Sequence, residues 1–352
     1  MAKPRNNLVE LARFLFSLLV VGYHVQMTWG GGSVRFFAGG ALAVEFFFLI
    51  SGFFLARSIE KFAADAEAKI LPSYGKFMWG KVKGILPVHL VAIVGIVVVI
   101  LCTRLSEAGG MILKGLPSVF LVHMAVVWDG SFAQALIVPE WYLSAMLVSM
   151  LFMVPIALLL RKKIKGVFVT LVLVGVLLIP LLICGFVTHW ALPQNFVYDL
   201  RAWGEMCVGM FAYYLSTLIA RKELKPAAAK VLPVLEIVLY AIPIVLGFVP
   251  FPVDYAYVTM IVAVTCTFGA LSITFGGKGV QIANPRLNAA FGYLGGLSLA
   301  IYLFHPVFVS LFEYAHVEVP YWAYFVIIFA AAGCGAVVYD LLKRVFARNR
   351  RG

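Results

Sequence analysis

Apolar and polar positions do not alternate evenly along this chain; they come in long blocks. Ten apolar runs lie near residues 8–28, 38–57, 85–103, 139–160, 166–186, 201–220, 231–249, 256–275, 291–312 and 320–342, separated by segments rich in Lys, Arg, Gly and Pro. A helix needs about 20 apolar residues to cross the hydrocarbon of a bilayer. The pattern therefore predicts an all-α membrane protein, a polytopic bundle of about ten transmembrane helices. A shorter apolar piece at 116–128, opened by Pro117, is too brief to cross and is expected to re-enter or to lie on the surface. The first run is too long for a removable signal peptide and has no small-residue cleavage site, so it reads as a span. The longest connecting segments, 57–84 and 104–138, are too short to hold a soluble domain, and "VEFFFLISGF" does not recur. A single membrane domain over 1–352 is expected.

Composition agrees with the blocks. Hydrophobic residues make up 63% of the chain and charged residues 12%, too little charge to cover a soluble surface. The net charge of +12 raises the thought of a nucleic-acid partner, but its placement argues otherwise. With the N-terminus in the cytoplasm, most of the 28 Lys and Arg residues fall in cytoplasmic segments, leaving Arg35, Arg104, Lys114 and Arg201 outside and Arg13 within a span. That asymmetry is what the positive-inside bias produces. It predicts cytoplasmic N- and C-termini, a multi-pass protein of the plasma (inner) membrane, contact with anionic lipids, and no nucleic acid. The five cysteines sit singly in or beside apolar runs with no histidine at ligand spacing, so neither a disulfide framework nor a metal site is expected.

Ionisable residues inside the spans carry the chemistry. In "ARFLFSLLVVGYHV" (12–25), Arg13 and His24 stand eleven residues apart, about three helical turns, so both project from one face about 16 Å apart along the axis. Ionisable groups in a membrane are costly and usually line a cavity or pathway. The alternative is that Arg13 snorkels to the interface and His24 satisfies a neighbouring carbonyl. Other residues fall at the depth of His24: Glu45, Glu140 with Trp141, Arg201 with Glu205, and Tyr302 with His305. Arg201 and Glu205, one turn apart, could simply pair with each other. Taken together the set suggests a base, a carboxylate to orient it, and groups to hold a polar acceptor. At the cytosolic end, Arg13, Arg57, Lys76, Lys81 and Lys83 offer cations for a phosphorylated donor.

The ordered motifs match a family. Arg13 and His24 with ten residues between them, "GGALAVEFFFLISGFFLARS" (39–58), "PEWYL" (139–143) and "SLAIYLFHP" (298–306) together resemble the acyltransferase 3 family of integral-membrane acyltransferases over nearly the whole chain. The resemblance implies transfer of an acyl group, usually acetyl, from cytosolic acyl-coenzyme A to a hydroxyl on an envelope glycan, glycolipid or similar acceptor. It further implies that His24 is catalytic and that Arg13 contacts the donor. The chain departs from the family pattern in two places. Where members often carry two basic residues three apart before the third span, "GKVKGILP" has Lys81 and then Gly84, with Lys83 one residue early. Where many place a Glu shortly after the fourth-span Trp, this chain has Met146, and Glu140 is the candidate replacement.

These readings combine into one expectation: a continuous polar conduit. Its inner mouth holds acetyl-coenzyme A or another acyl-coenzyme A through Arg13, Arg57, Lys81 and Lys83, and no metal takes part. Near the outer surface His24 acts as general base with Glu45 or Glu140 orienting it, while Trp141, Arg201, Glu205, Tyr302 and His305 face the acceptor. Ser51 is the nearest candidate for a covalent acyl-enzyme, although a Ser-Gly pair in a helix more often serves packing. The competing class is a secondary transporter of a small polar or anionic solute, disfavoured because the polar residues are not repeated in two matching halves.

Overall fold

The computed structural model describes residues 6–30, 36–64, 69–126, 135–161, 163–187, 194–249 and 256–349. Every regular element among them is helical. The first half comprises α1 (Asn7–Trp29), α2 (Ala43–Ala64), α3 (Ile70–Thr103), α4 (Ala108–Lys114), α5 (Leu116–Val119) and α6 (His123–Val126), followed by α7 (Trp141–Leu160). The second half comprises α8 (Gly166–Val187), α9 (Gln194–Arg221), α10 (Pro226–Phe248), α11 (Ala256–Phe275), α12 (Pro285–Tyr314) and α13 (Tyr321–Asn349). The long helices coincide with the ten apolar runs. Among the described residues eight of them are long and apolar enough to cross a membrane, and α8 is apolar in sequence from end to end. α9 carries Asp199, Arg201 and Glu205 in its first half, which interrupts the apolar stretch. Arg35 lies outside the described residues.

The helices overrun the apolar blocks. α3 begins at Ile70 rather than near residue 85 and continues for 34 residues through Pro87, so the connection expected at 57–84 shrinks to the few residues after Ala64. An apolar run marks the part of a helix that suits hydrocarbon; its hydrogen-bonded ladder continues into the polar zone. The described part of the piece at 116–128 forms no helix long enough to cross. It is broken into the short helices α5 and α6.

Local signals set the helix starts. Asn6 caps α1 by accepting from the backbone N–H groups of Leu8 (3.1 Å) and Val9 (3.4 Å). Asn284 does the same for α12 at Arg286 (2.9 Å) and Leu287 (3.3 Å), with Pro285 at the first helical position. Each cap satisfies donors that the helix itself cannot.

Small residues bring the helices that form the site together. Lipid is as apolar as leucine, so close backbone approach and van der Waals contact drive helix association in a bilayer. α1 packs most extensively on α12, where a Cβ on Gly295 would fall 2.3 Å from Glu10 Oε2. α2 and α9 meet reciprocally: a Cβ on Gly52 would lie 2.0 Å from the Met206 carbonyl oxygen, and one on Gly209 would lie 1.9 Å from that of Leu49. The Ser-Gly of "ISGF" therefore places its glycine in a helix contact. Gly209→Ala is expected to cost about 1–3 kcal/mol through overpacking, read as a lower melting temperature in detergent. Gly175→Ala, with open space at its Cβ position, should not lower it.

Candidate functional site

Helix α1 presents Arg13 and His24 to two different cavities. At the Arg13 end lies a cleft of about 290 Å³, to which Arg13, Ser51, Lys81, Gly84, Tyr142, Met146 and Tyr302 contribute. Arg13 keeps one local partner there, Glu10, at 3.3 Å, and its side chain is 36% exposed. At the other end His24 opens on a larger cavity of about 690 Å³. Thr28, Glu107, Lys114, Ser310, Glu313 and Tyr314 supply polar groups to it, and the backbone from Ala135 to Pro139 forms one wall.

No described residue lines both spaces, so among the described residues the two ends of α1 open on separate cavities, where one continuous conduit was expected. Tyr302 stands in the partition between them. Its ring faces the Arg13 cleft, and its hydroxyl donates to the carbonyl of Pro139, which lines the His24 cavity. That carbonyl precedes the start of α7, and it gives the buried phenol an acceptor. One turn further along α12, His305 is fully buried and meets His24 with ring centroids 5.3 Å apart. The Tyr302 and His305 rings are 6.0 Å apart. A row of three rings thus leads from the cleft to the cavity.

The carboxylates expected beside His24 have other partners. Glu45, fully buried, pairs with Arg201, which also reaches Glu205 at 2.9 Å and lies 5.8 Å over the Trp141 ring. Glu140, fully buried, lies 2.6 Å from Nδ1 of His89 in α3. Arg201, Glu205 and Trp141 therefore form one cluster around Glu45, and the ring nearest His24 on another helix is that of His305. Ser51 belongs to the opposite cleft, 3.4 Å from the Tyr142 hydroxyl. The Tyr142 hydroxyl in turn donates to the Phe47 carbonyl at 3.1 Å.

The departures from the family pattern acquire positions. Lys81 and Gly84, three residues apart on one helical face, both line the Arg13 cleft. Lys83 is exposed and lines neither cavity. Met146 lines the same cleft, whereas Glu140 is buried against His89 and does not take its place. Arg57 is half-buried and also stays out of the cleft.

Sequence reasoning missed His89 and His123. His89 sits in "ILPVHL", a lone imidazole in an apolar run, the same signal that singled out His24. His123, in α6, is buried, and neither ring nitrogen has a hydrogen-bond partner among the described residues. Burial first, and the neighbouring His89 second, lower its pKa to about 4, so it is neutral at physiological pH.

Chemically, the arrangement offers a cationic cleft at one end and, at the other, an imidazole in a larger cavity furnished with hydroxyls and carboxylates. A family model described as an acyltransferase domain matches residues 6–341. No curated protein and no solved structure matches the chain.

Proposed function

The chain belongs to the acyltransferase 3 family, and from that premise we propose that it moves an acyl group, acetyl in the simplest case, from cytosolic acyl-coenzyme A to a hydroxyl of an envelope carbohydrate or glycolipid across the membrane. It is a multi-pass membrane acyltransferase; the donor, the acceptor and the chemistry of His24 are our reading. One observation carries that reading. A single helix offers a guanidinium to one cavity and an imidazole to another at its opposite end. Substrates on two sides of a bilayer need two entrances, and the cationic one suits a carrier bearing phosphates.

In this scheme Arg13 and Lys81 hold the phosphates of the coenzyme by charge-assisted contacts. The narrow pantetheine arm passes Tyr302, whose hydroxyl leaves the Pro139 carbonyl to let it through. His24 takes the proton of the acceptor hydroxyl as that oxygen attacks the thioester carbonyl. The tetrahedral intermediate collapses, the carbon–sulfur bond breaks, and the imidazolium returns its proton to the departing thiolate. A positioned base of this kind contributes about 10²–10⁴ in rate. Holding both substrates together in a site closed to water adds a positional contribution. His305, in ring contact with His24, orients the base.

The donor side is tested by three substitutions in membranes supplied with radiolabelled acetyl-coenzyme A. Arg13→Ala and Lys81→Ala are each expected to raise the donor KM about tenfold, since hydrogen bonds to charged groups are worth about 1.5–3 kcal/mol. Lys83→Ala should leave it unchanged. A donor KM that responds to Lys83 and ignores Lys81 would place the phosphates elsewhere.

A further inference from the structure

The partition between the two cavities is held from both sides by contacts on neighbouring residues. Pro139 accepts from Tyr302 of α12, and Glu140 meets His89 of α3 at 2.6 Å. The second ring nitrogen of His89 lies 3.1 Å from the Val119 carbonyl at the end of α5. A carbonyl oxygen only accepts, so Nε2 of His89 carries a hydrogen and donates it. Nδ1 then faces Oε1 of Glu140 with one proton between them. Whether that proton is drawn on the ring or on the carboxyl group, the pair as a unit is neutral, which permits both side chains to be fully buried.

The segments on either side of this pair form one body. The Ser118 hydroxyl accepts from the Leu136 backbone N–H at 3.1 Å. Gly115 lets Leu136 approach so closely that a Cβ would lie 2.3 Å from its Cγ. Residues 136–139 of this body line the His24 cavity, and Glu140 fastens it from behind to α3. The Ser118 hydroxyl and the Gly115–Leu136 contact already tie the two segments to each other. What the buried pair adds is the position of their wall relative to the long helices.

We propose that His89 and Glu140 are a positioning pair for acyl transfer, holding the Pro139 wall where Tyr302 admits the pantetheine arm and otherwise shuts the His24 cavity to the inner cleft, so that the thioester meets the acceptor hydroxyl and water is kept out. This inference rests on the acyl-transfer reading. Neither residue touches the reacting atoms. A displaced wall admits water, whose oxygen attacks the thioester carbonyl; the carbon–sulfur bond breaks, and the products are the free carboxylic acid and the coenzyme thiol. Misplacements of about 1 Å cost transfer up to a hundredfold.

The measurement is the ratio of free labelled acid to labelled acceptor formed from radiolabelled acetyl-coenzyme A by the full chain in native membranes. With the acid formed by membranes lacking the protein subtracted, both products come from the same active molecules, so the ratio does not depend on how much protein folds. For Glu140→Leu, which leaves Nδ1 of His89 without a partner, and for the apolar double variant His89→Leu with Glu140→Met, the ratio is expected to rise about tenfold or more over wild type, with Tyr302→Phe moving it in the same direction. If total turnover falls in these variants while the ratio stays within about twofold of wild type, the pair is structural only and the inference is overturned. A wild-type protein that forms neither product defeats the acyl-transfer reading, and this inference with it.

Discussion

His24→Ala is expected to abolish label transfer from radiolabelled acetyl-coenzyme A to the cell envelope, a loss of about 10²–10⁴, while the protein still inserts. The size follows from the role. Without a base the attacking hydroxyl must lose its proton to water in a cavity whose closest imidazole, that of His305, sits 5.3 Å away, centroid to centroid. The effect on stability should be small, because His24 is only partly buried and no hydrogen bond to its ring is present among the described residues. His24→Gln, which keeps a polar side chain and loses the base, should fail in the same way. Transfer within a few-fold of wild type in either variant would remove His24 from the chemistry.

The second large effect concerns folding. Arg201→Ala is expected to cost about 3 kcal/mol of stability, read as a lower melting temperature in detergent. Arg201 is the shared partner of Glu45 and Glu205, and its removal leaves two carboxylates, one fully buried and one 9% exposed at the side chain, without their cation. The 25% exposure of the Arg201 side chain puts the loss toward the lower end of what breaking a buried pair costs. Adding Glu45→Gln to Arg201→Ala should recover part of it, since the remaining buried group is then uncharged. An unchanged melting temperature together with a raised acceptor KM would mean that Arg201 serves the substrate and not the fold.

The long helices were legible because hydrocarbon demands long apolar blocks, and such blocks survive any rearrangement of neighbours. Their ends were not. α3 starts fifteen residues before its apolar run, since the lysines there are no obstacle to a helix leaving the bilayer. Arg13 and His24 could be singled out because burying ionisable groups is expensive wherever they end up. Which carboxylate would pair with which base could not, because that depends on how α2, α3, α7 and α9 turn toward one another. Glu140 belongs to His89 and Glu45 to Arg201, and spacing along the chain has no access to either fact. The same limit explains Lys83. Only the direction in which α3 faces its neighbours decides that Gly84, and not Lys83, looks into the cleft.

Purified protein reconstituted in one orientation separates donor from acceptor most directly. Radiolabelled acetyl-coenzyme A is supplied only on the Arg13 side of sealed proteoliposomes, and a hydroxylated glycan acceptor only on the His24 side. Two cavities serving two substrates predict labelled acceptor under this arrangement and none when the two compounds exchange sides. Transfer that occurs only when donor and acceptor share one side, whichever side it is, would contradict the account.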